Sequence, residues 1–271
     1  MPNSAPYERF RYLQVTMHDS IALVAMLDPV DEHFLTQAHP MHTELRDIFP
    51  ALAADPSVAA AILTGTGDRF FAGPGVEDTE ALLTSSFAAG AKQMLEARQI
   101  CNQMLEFSKP LVAALNGSAI GMGCQLAFLC DFAIGAKGIR IQDTHVRLGL
   151  PAGDGGTMMW PMLVGMARAR SMLLRAHPIM ADEAKELGLL ADVVDAERLN
   201  EASIALARKL IQLPRFAYSA TKLALNQWMR MGAMFSSDMA MGLELAAFAG
   251  PEFRTAISAA SGMPKDRPPT P

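Results

Sequence analysis

The stretch Ala113 to Thr157 reads AALNGSAIGMGCQLAFLCDFAIGAKGIRIQDTHVRLGLPAGDGGT. Leu111 to Leu115 is a short apolar run bounded by Pro110 and Asn116-Gly117, the pattern of a buried strand closed by a turn. Gly121-Met122-Gly123 then leads into a helix predicted to begin near Cys124. Two readings fit that glycine run. Glycines let the backbone approach a ligand closely, and the free N–H groups of a helix start suit an anionic oxygen. They equally make a tight turn that packs small residues under a helix. Phe132 to Ala136 is another short strand, followed by a polar turn at Lys137-Gly138. The apolar stretch from Leu111 to Ala136 is long enough to resemble a membrane span, but Asn116, Gln125 and Asp131 interrupt it with groups costly in lipid. It reads as buried strand, turn and buried helix.

Outward from this stretch, Tyr12 to Met17 and Ile21 to Leu27 read as strands around an Asp19-Ser20 turn. Leu45, Ile48, Phe49 and Leu52 recur at helical spacing within Met41 to Ala54, and Val58 to Leu63 is a continuous apolar strand. Strand, helix, strand predicts a parallel pairing through a right-handed crossover. A long helix is predicted over Phe87 to Phe107. After Pro151 the pattern is mainly helical, over Gly155 to Met166, Ala181 to Leu187, Leu199 to Ile211 and Arg215 to Arg230.

Composition narrows the function classes. Hydrophobic residues make up 51% of the 271-residue chain and charged residues 19%, which excludes general disorder and allows one large core. A net charge of -5 argues against a nucleic-acid partner, because phosphate binding needs a basic surface. Cys101, Cys124 and Cys130 form no CxxC pair and support neither a disulfide framework nor a zinc site. The N-terminus lacks the form of a signal peptide, so a cytoplasmic protein with no membrane partner is expected. His39 and His42 read as surface or cap residues beside Pro40.

Three blocks together resemble the crotonase (enoyl-CoA hydratase/isomerase) superfamily. The strand, Asn116-Gly117 and the glycine run resemble its signature. Gly149 to Thr157 resembles its Pro-Gly-x-Gly-Gly-Thr turn, and Phe70-Phe71-Ala72-Gly73 its Phe-x-Ala-Gly loop. The resemblance spans roughly residues 10 to 250. It implies an α/β fold: a crotonase-type ββα spiral core over 1–197, a C-terminal helical trimerisation region over 198–263, and a disordered Pro-rich tail over 264–271. It also implies an oxyanion hole of two backbone N–H groups that stabilises an enolate. One donor carries over to Met122. The second would fall on Pro74, which has no N–H; Ala72, Gly73 or Gly75 could substitute only with a shifted loop, and Gly75 is the candidate carried forward.

The acid/base positions depart from a hydratase of this family. Where the resemblance implies two glutamates, this chain has Gln125 and His145. Glutamine cannot exchange a proton at neutral pH, whereas histidine can. A lone His near a lone Asp says little by itself. In the family context, however, His145 falls on a catalytic position, and Asp154 would fix its tautomer and make it a base for water. Gln142-Asp143-Thr144-His145, Pro151-Ala152-Gly153-Asp154-Gly155 and Trp160-Pro161 resemble the β-diketone hydrolase (6-oxocamphor hydrolase) branch, which cleaves carbon–carbon bonds without coenzyme A. That branch has a histidine where this chain has Met122, and a glutamate on a C-terminal helix to which Glu244 lies nearest, about two residues out of register.

The resemblance therefore implies catalytic His145 and Asp154, oxyanion donors Met122 and Gly75, and substrate contacts from Ala72, Gly73, Pro74, Gln125, Trp160 and Glu244. The leading expectation is retro-Claisen hydrolysis of a small β-dicarbonyl compound, with no metal or redox cofactor. One alternative is a hydratase or isomerase acting on a coenzyme A thioester with His145 as sole base. A catalytically silent binding protein on the same fold is another. Assembly into a homotrimer or a dimer of trimers is expected from the resemblance.

Overall fold

The Asp19-Ser20 turn opens the architecture. Strands β1 (Leu13–His18) and β2 (Ile21–Met26) pair antiparallel across it, with Leu13 opposite Met26 and His18 opposite Ile21. Asp19 sits at φ 57°, a left-handed conformation that a short polar side chain tolerates. The computed structural model describes residues 7–27, 40–71 and 87–261. Helix α1 (Pro40–Ala54) buries Leu45, Ile48 and Leu52 at helical spacing, as predicted. Strand β3 (Ala60–Gly65) follows and pairs parallel with β2, Ile21 opposite Ala60. It starts two residues later than the apolar run suggests: Val58 is buried but precedes the ladder and donates its N–H to Asp55 O.

Helix α2 (Phe87–Glu106) leads to β5 (Leu111–Leu115), with β4 (Arg69–Phe71) lying before it in the chain. Next come β6 (Ser118–Ile120), helix α3 (Met122–Phe128), β7 (Phe132–Ala136) and β8 (Arg140–Gln142). Helix α4 (Gly156–Leu174) is broken at Gly165, where φ is 78° and ψ 156°. β9 (Ile179–Met180), α5 (Ala181–Glu186) and β10 (Asp192–Val194) precede α6 (Leu199–Ile211), α7 (Arg215–Ala247) and α8 (Pro251–Ser261). The fold is α/β, with a helical C-terminal part.

The strands form two sheets, in the orders β1-β2-β3-β5-β7-β10 and β4-β6-β8-β9. A step repeats: β3, β5 and β7 run in the large sheet, and after a turn β4, β6 and β8 run in the small one. Asn116 binds two successive turns together. Its Oδ1 accepts Gly65 N–H at 2.9 Å, and its Nδ2 donates to Gly67 O at 3.1 Å and Arg69 O at 3.0 Å. The apolar stretch that resembles a membrane span resolves into β5, β6, α3 and β7. Among the described residues no helix is long and apolar enough to cross a membrane.

Of the helices after residue 197, α6 packs into the main core, whereas Phe253 and Ile257 of α8 form a separate small cluster with Leu150. Leu199, Ala207 and Leu210 of α6 join the same hydrophobic cluster as β3, β5 and β7. Helix α7 extends well past the predicted Arg230, and its 33 residues span about 50 Å at 1.5 Å per residue. Its first half is held by a buried ion pair: Lys222 Nζ lies 2.9 Å from Asp131 Oδ1 and donates to Lys109 O at 2.8 Å, while Tyr218 Oη donates to Asp131 Oδ2 at 2.9 Å. A buried pair stabilises only when its hydrogen bonds are satisfied in this way. Thus anchored, the helix carries its far end towards the loops that follow β8.

Candidate active site

Strand β8 pairs with β6 at Ile120 and Gln142, and Gly121 N–H donates to Gln142 O at 3.0 Å. The glycine run before α3 is therefore held beside the segment after β8. There a 3-10 turn, His145–Leu148, is closed by Gly149 at φ 71°. Asp143 initiates it: Oδ1 accepts the His145 backbone N–H at 3.2 Å and lies 2.7 Å from His145 Nδ1. Asp side chains bind backbone two residues on in this manner. The imidazole is thereby fixed at both ends of its own residue.

The other ring nitrogen faces two further carboxylates. Nε2 lies 3.3 Å from Asp154 Oδ2 and 3.7 Å from Glu244 Oε1. Asp154 is oriented by α3, where Gln125 Nε2 donates to its Oδ1 at 3.1 Å. Glu244 is oriented by the loop before α4, where Gly153 N–H donates to its Oε2 at 3.0 Å. Glycine is required at 153: a Cβ there would stand 2.5 Å from Glu244 Oε2 and 2.7 Å from Ala240 O. Helix α7 comes this close only because residue 153 has no side chain.

Charge in the cluster follows from burial and proximity. Burial alone pushes the His145 imidazole down, but the Asp154 and Asp143 carboxylates outweigh it and hold the ring well above its ordinary 6.5. Burial pushes Glu244 up to about 8, with His145 pulling it down and Asp154 pushing it further up. Proximity to Asp154 and Asp143 thus favours the protonated form of His145, and burial favours the protonated form of Glu244.

The fold also determines where the other expected residues lie. Met122 opens α3 directly after Gly121, which has φ 55°; the first-turn N–H groups of a helix have no partner within it. Ala72, Gly73, Pro74 and Gly75 fall outside the described residues. Trp160, expected to touch substrate, is instead a core residue, 1% exposed and edge-on to Phe128 at 5.7 Å between ring centroids. Gln125 is also buried and reaches Asp154. Asp154 was expected to fix the His145 tautomer; it faces Nε2, whereas Nδ1 is taken by Asp143. His42 is not a surface residue: it is buried, stacks on Phe71 with centroids 6.5 Å apart, and is pushed down to about 4 by burial. Among the described residues, no group of three or more His, Cys, Asp or Glu is arranged to hold a metal ion.

Residues 16–252 match the enoyl-CoA hydratase/isomerase family. The chain belongs to that family. A crotonyl-CoA hydratase of Syntrophomonas wolfei is 35% identical over 207 residues, 76% of each chain. An enoyl-CoA hydratase/isomerase structure from Mycobacterium paratuberculosis superposes with a TM-score of 0.82 at 30% identity, covering 92% of this chain and 98% of that one. A β-diketone hydrolase structure from the cyanobacterium Anabaena sp. PCC 7120 has a TM-score of 0.79 at 21% identity, covering 92% and 98%, a likeness of fold alone. This chain is thus a crotonase-superfamily enzyme with Gln125 buried on α3 and an imidazole among three carboxyl groups.

Asp143 stands in the sequence two residues before His145, and that spacing was the available signal for its contact. Glu244 carried a weaker one, since its register on the C-terminal helix was two residues from the family pattern. The structure brings both to the ring.

Proposed function

We propose that this enzyme hydrolyses a carbon–carbon bond of a small β-dicarbonyl compound. The observation that carries the reading is the His145 imidazole held by carboxylates on both nitrogens, beside a glutamine that cannot transfer protons. Neutral His145 takes a proton from water at Nε2 as the water oxygen attacks one carbonyl carbon. The tetrahedral adduct collapses, the bond to the central carbon breaks, and its electron pair passes into the second carbonyl as an enolate. Met122 N–H stabilises that charge, with Gly75 as the candidate second donor. The imidazolium returns its proton to the central carbon, giving one carboxylic acid and one ketone for each water consumed. Asp154, held by Gln125, orients the water, and Glu244 lies on the same side of the ring. The sequence is redox-neutral and requires no electron carrier.

A second reading is hydration or isomerisation of a coenzyme A thioester with His145 as sole base. The relatives' names favour it, foremost the crotonyl-CoA hydratase at 35% identity. The two are separated by offering the purified enzyme a 1,3-diketone without coenzyme A, and crotonyl-CoA in parallel. Ring-opened or cleaved acid from the diketone, with no hydration of crotonyl-CoA, supports the first reading. Hydration of crotonyl-CoA with no diketone turnover would replace it with the second.

Assembly as a homotrimer or a dimer of trimers belongs to the same proposal. It is supported by the apolar side chains that α7 leaves in solvent, including Phe216, Met234 and Phe235, each more than 80% exposed.

A further inference from the structure

We infer that Asp143 is the positioning residue that selects the working tautomer of His145, leaving Nε2 as the nitrogen that meets the reactant. The inference deepens the proposed reaction and rests on His145 being its base. An ionised carboxylate accepts hydrogen bonds and cannot donate them. Asp143 Oδ1 stands 2.7 Å from Nδ1, so the neutral ring keeps its hydrogen on Nδ1 and its lone pair on Nε2. The same oxygen holds the His145 backbone N–H at 3.2 Å, so the ring and its main chain are oriented by one atom.

Asp154 is less suited to this role. It faces the opposite nitrogen at 3.3 Å, and its second oxygen is committed to Gln125. The titratable groups against the ring are Asp143 on its own loop, Asp154 from the loop before α4, and Glu244 from α7; α3 contributes the uncharged Gln125. Two details show that the Asp143 carboxylate is built in. It is 1% exposed, and Oδ2 has no hydrogen-bond partner among the described residues, a burial cost that structure alone does not repay. Residue 156 is a glycine, and a Cβ there would stand 2.7 Å from Oδ2.

The test is the nitrogen-15 signature of the His145 ring in the full-length protein, assigned by its loss in His145→Ala. It is read at a pH high enough for the ring to be neutral. Nδ1–H is expected in the native chain and in Asp154→Asn. In Asp143→Asn the ring should become a mixture of tautomers, turnover should fall about a hundredfold or more, and KM should change less than about threefold. The acid limb of the pH–rate profile should also move to lower pH, a change that simple loosening of the fold would not produce. An Nε2–H ring in the native chain would overturn the inference without needing any variant to fold. So would an Asp143→Asn protein with unchanged tautomer and pH profile. Failure of diketone turnover alongside an Nδ1–H ring would instead remove the proposed reaction and leave the positioning role standing.

Discussion

Glu244 Oε1 lies 3.7 Å from Nε2 of His145, while its other oxygen accepts the Gly153 N–H. Held up to about 8, mainly by burial, Glu244 keeps a proton in the folded protein that the unfolded chain has already released. His145 acts with the same sign, because its folded pKa lies well above the unfolded value. The native state therefore binds more protons than the unfolded state between about pH 5 and about pH 8, and stability falls as pH rises through that window. Glu244→Gln removes the carboxyl's share. Its Tm should drop less than that of the native chain between about pH 6 and about pH 8.5 in thermal unfolding. Equal drops would mean that Glu244 is ionised throughout.

The raised His145 pKa also sets the direction of the pH–rate profile. An ordinary histidine would give an acid limb near 6.5. Here Asp154 and Asp143 overcome the effect of burial, so the limb should lie above that value and the rate should climb from neutral into alkaline pH. A profile already flat above about pH 6.5 would show that another group is the base.

His145 and Asp154 should act as one unit, since Asp154 orients the water that Nε2 deprotonates. Asp154→Asn is expected to lower the rate by about two to four powers of ten, His145→Ala at least as far, and the double variant little further. Substrate affinity should change much less. Multiplicative losses, or a near-normal Asp154→Asn enzyme, would show that the pair does not share the step.

Gln125→Glu should not create hydratase activity. The new carboxylate would lose the amide donor that satisfies Asp154 Oδ1 at 3.1 Å and place a like charge there. A loss of about 1–3 kcal/mol in stability is expected from the broken buried bond, measurable by urea unfolding. Robust crotonyl-CoA hydration by Gln125→Glu alone would contradict the roles assigned here.

Assembly is testable by light scattering at micromolar concentration. A trimer or hexamer is expected, and a monomer would leave the exposed apolar face of α7 unexplained.

Strands β2, β5 and β7 were legible because a continuous apolar run between turn residues is a local pattern. The small sheet was not. β4, β6 and β8 have three residues each, too few to show an alternation of period two, and they exist through pairing with one another. The far half of α7 was missed for a related reason. Met231, Met234, Phe235, Met239 and Leu243 remain exposed, so its apolar residues do not trace a single buried stripe.

The sequence by itself determined the strand–turn–helix around Gly121 and the α/β class, which follow from residue spacing and turn chemistry acting over a few residues. That His145 and Asp154 face a common site was implied only by the family resemblance. Only the tertiary structure decided which carboxylate holds which nitrogen of His145. Asp143 reaches Nδ1 through a turn whose geometry depends on β8 pairing with β6. Glu244 reaches Nε2 because a long helix, anchored by Lys222 on Asp131, packs against a glycine at 153. Such contacts depend on how distant elements pack, and that information lies in no local pattern.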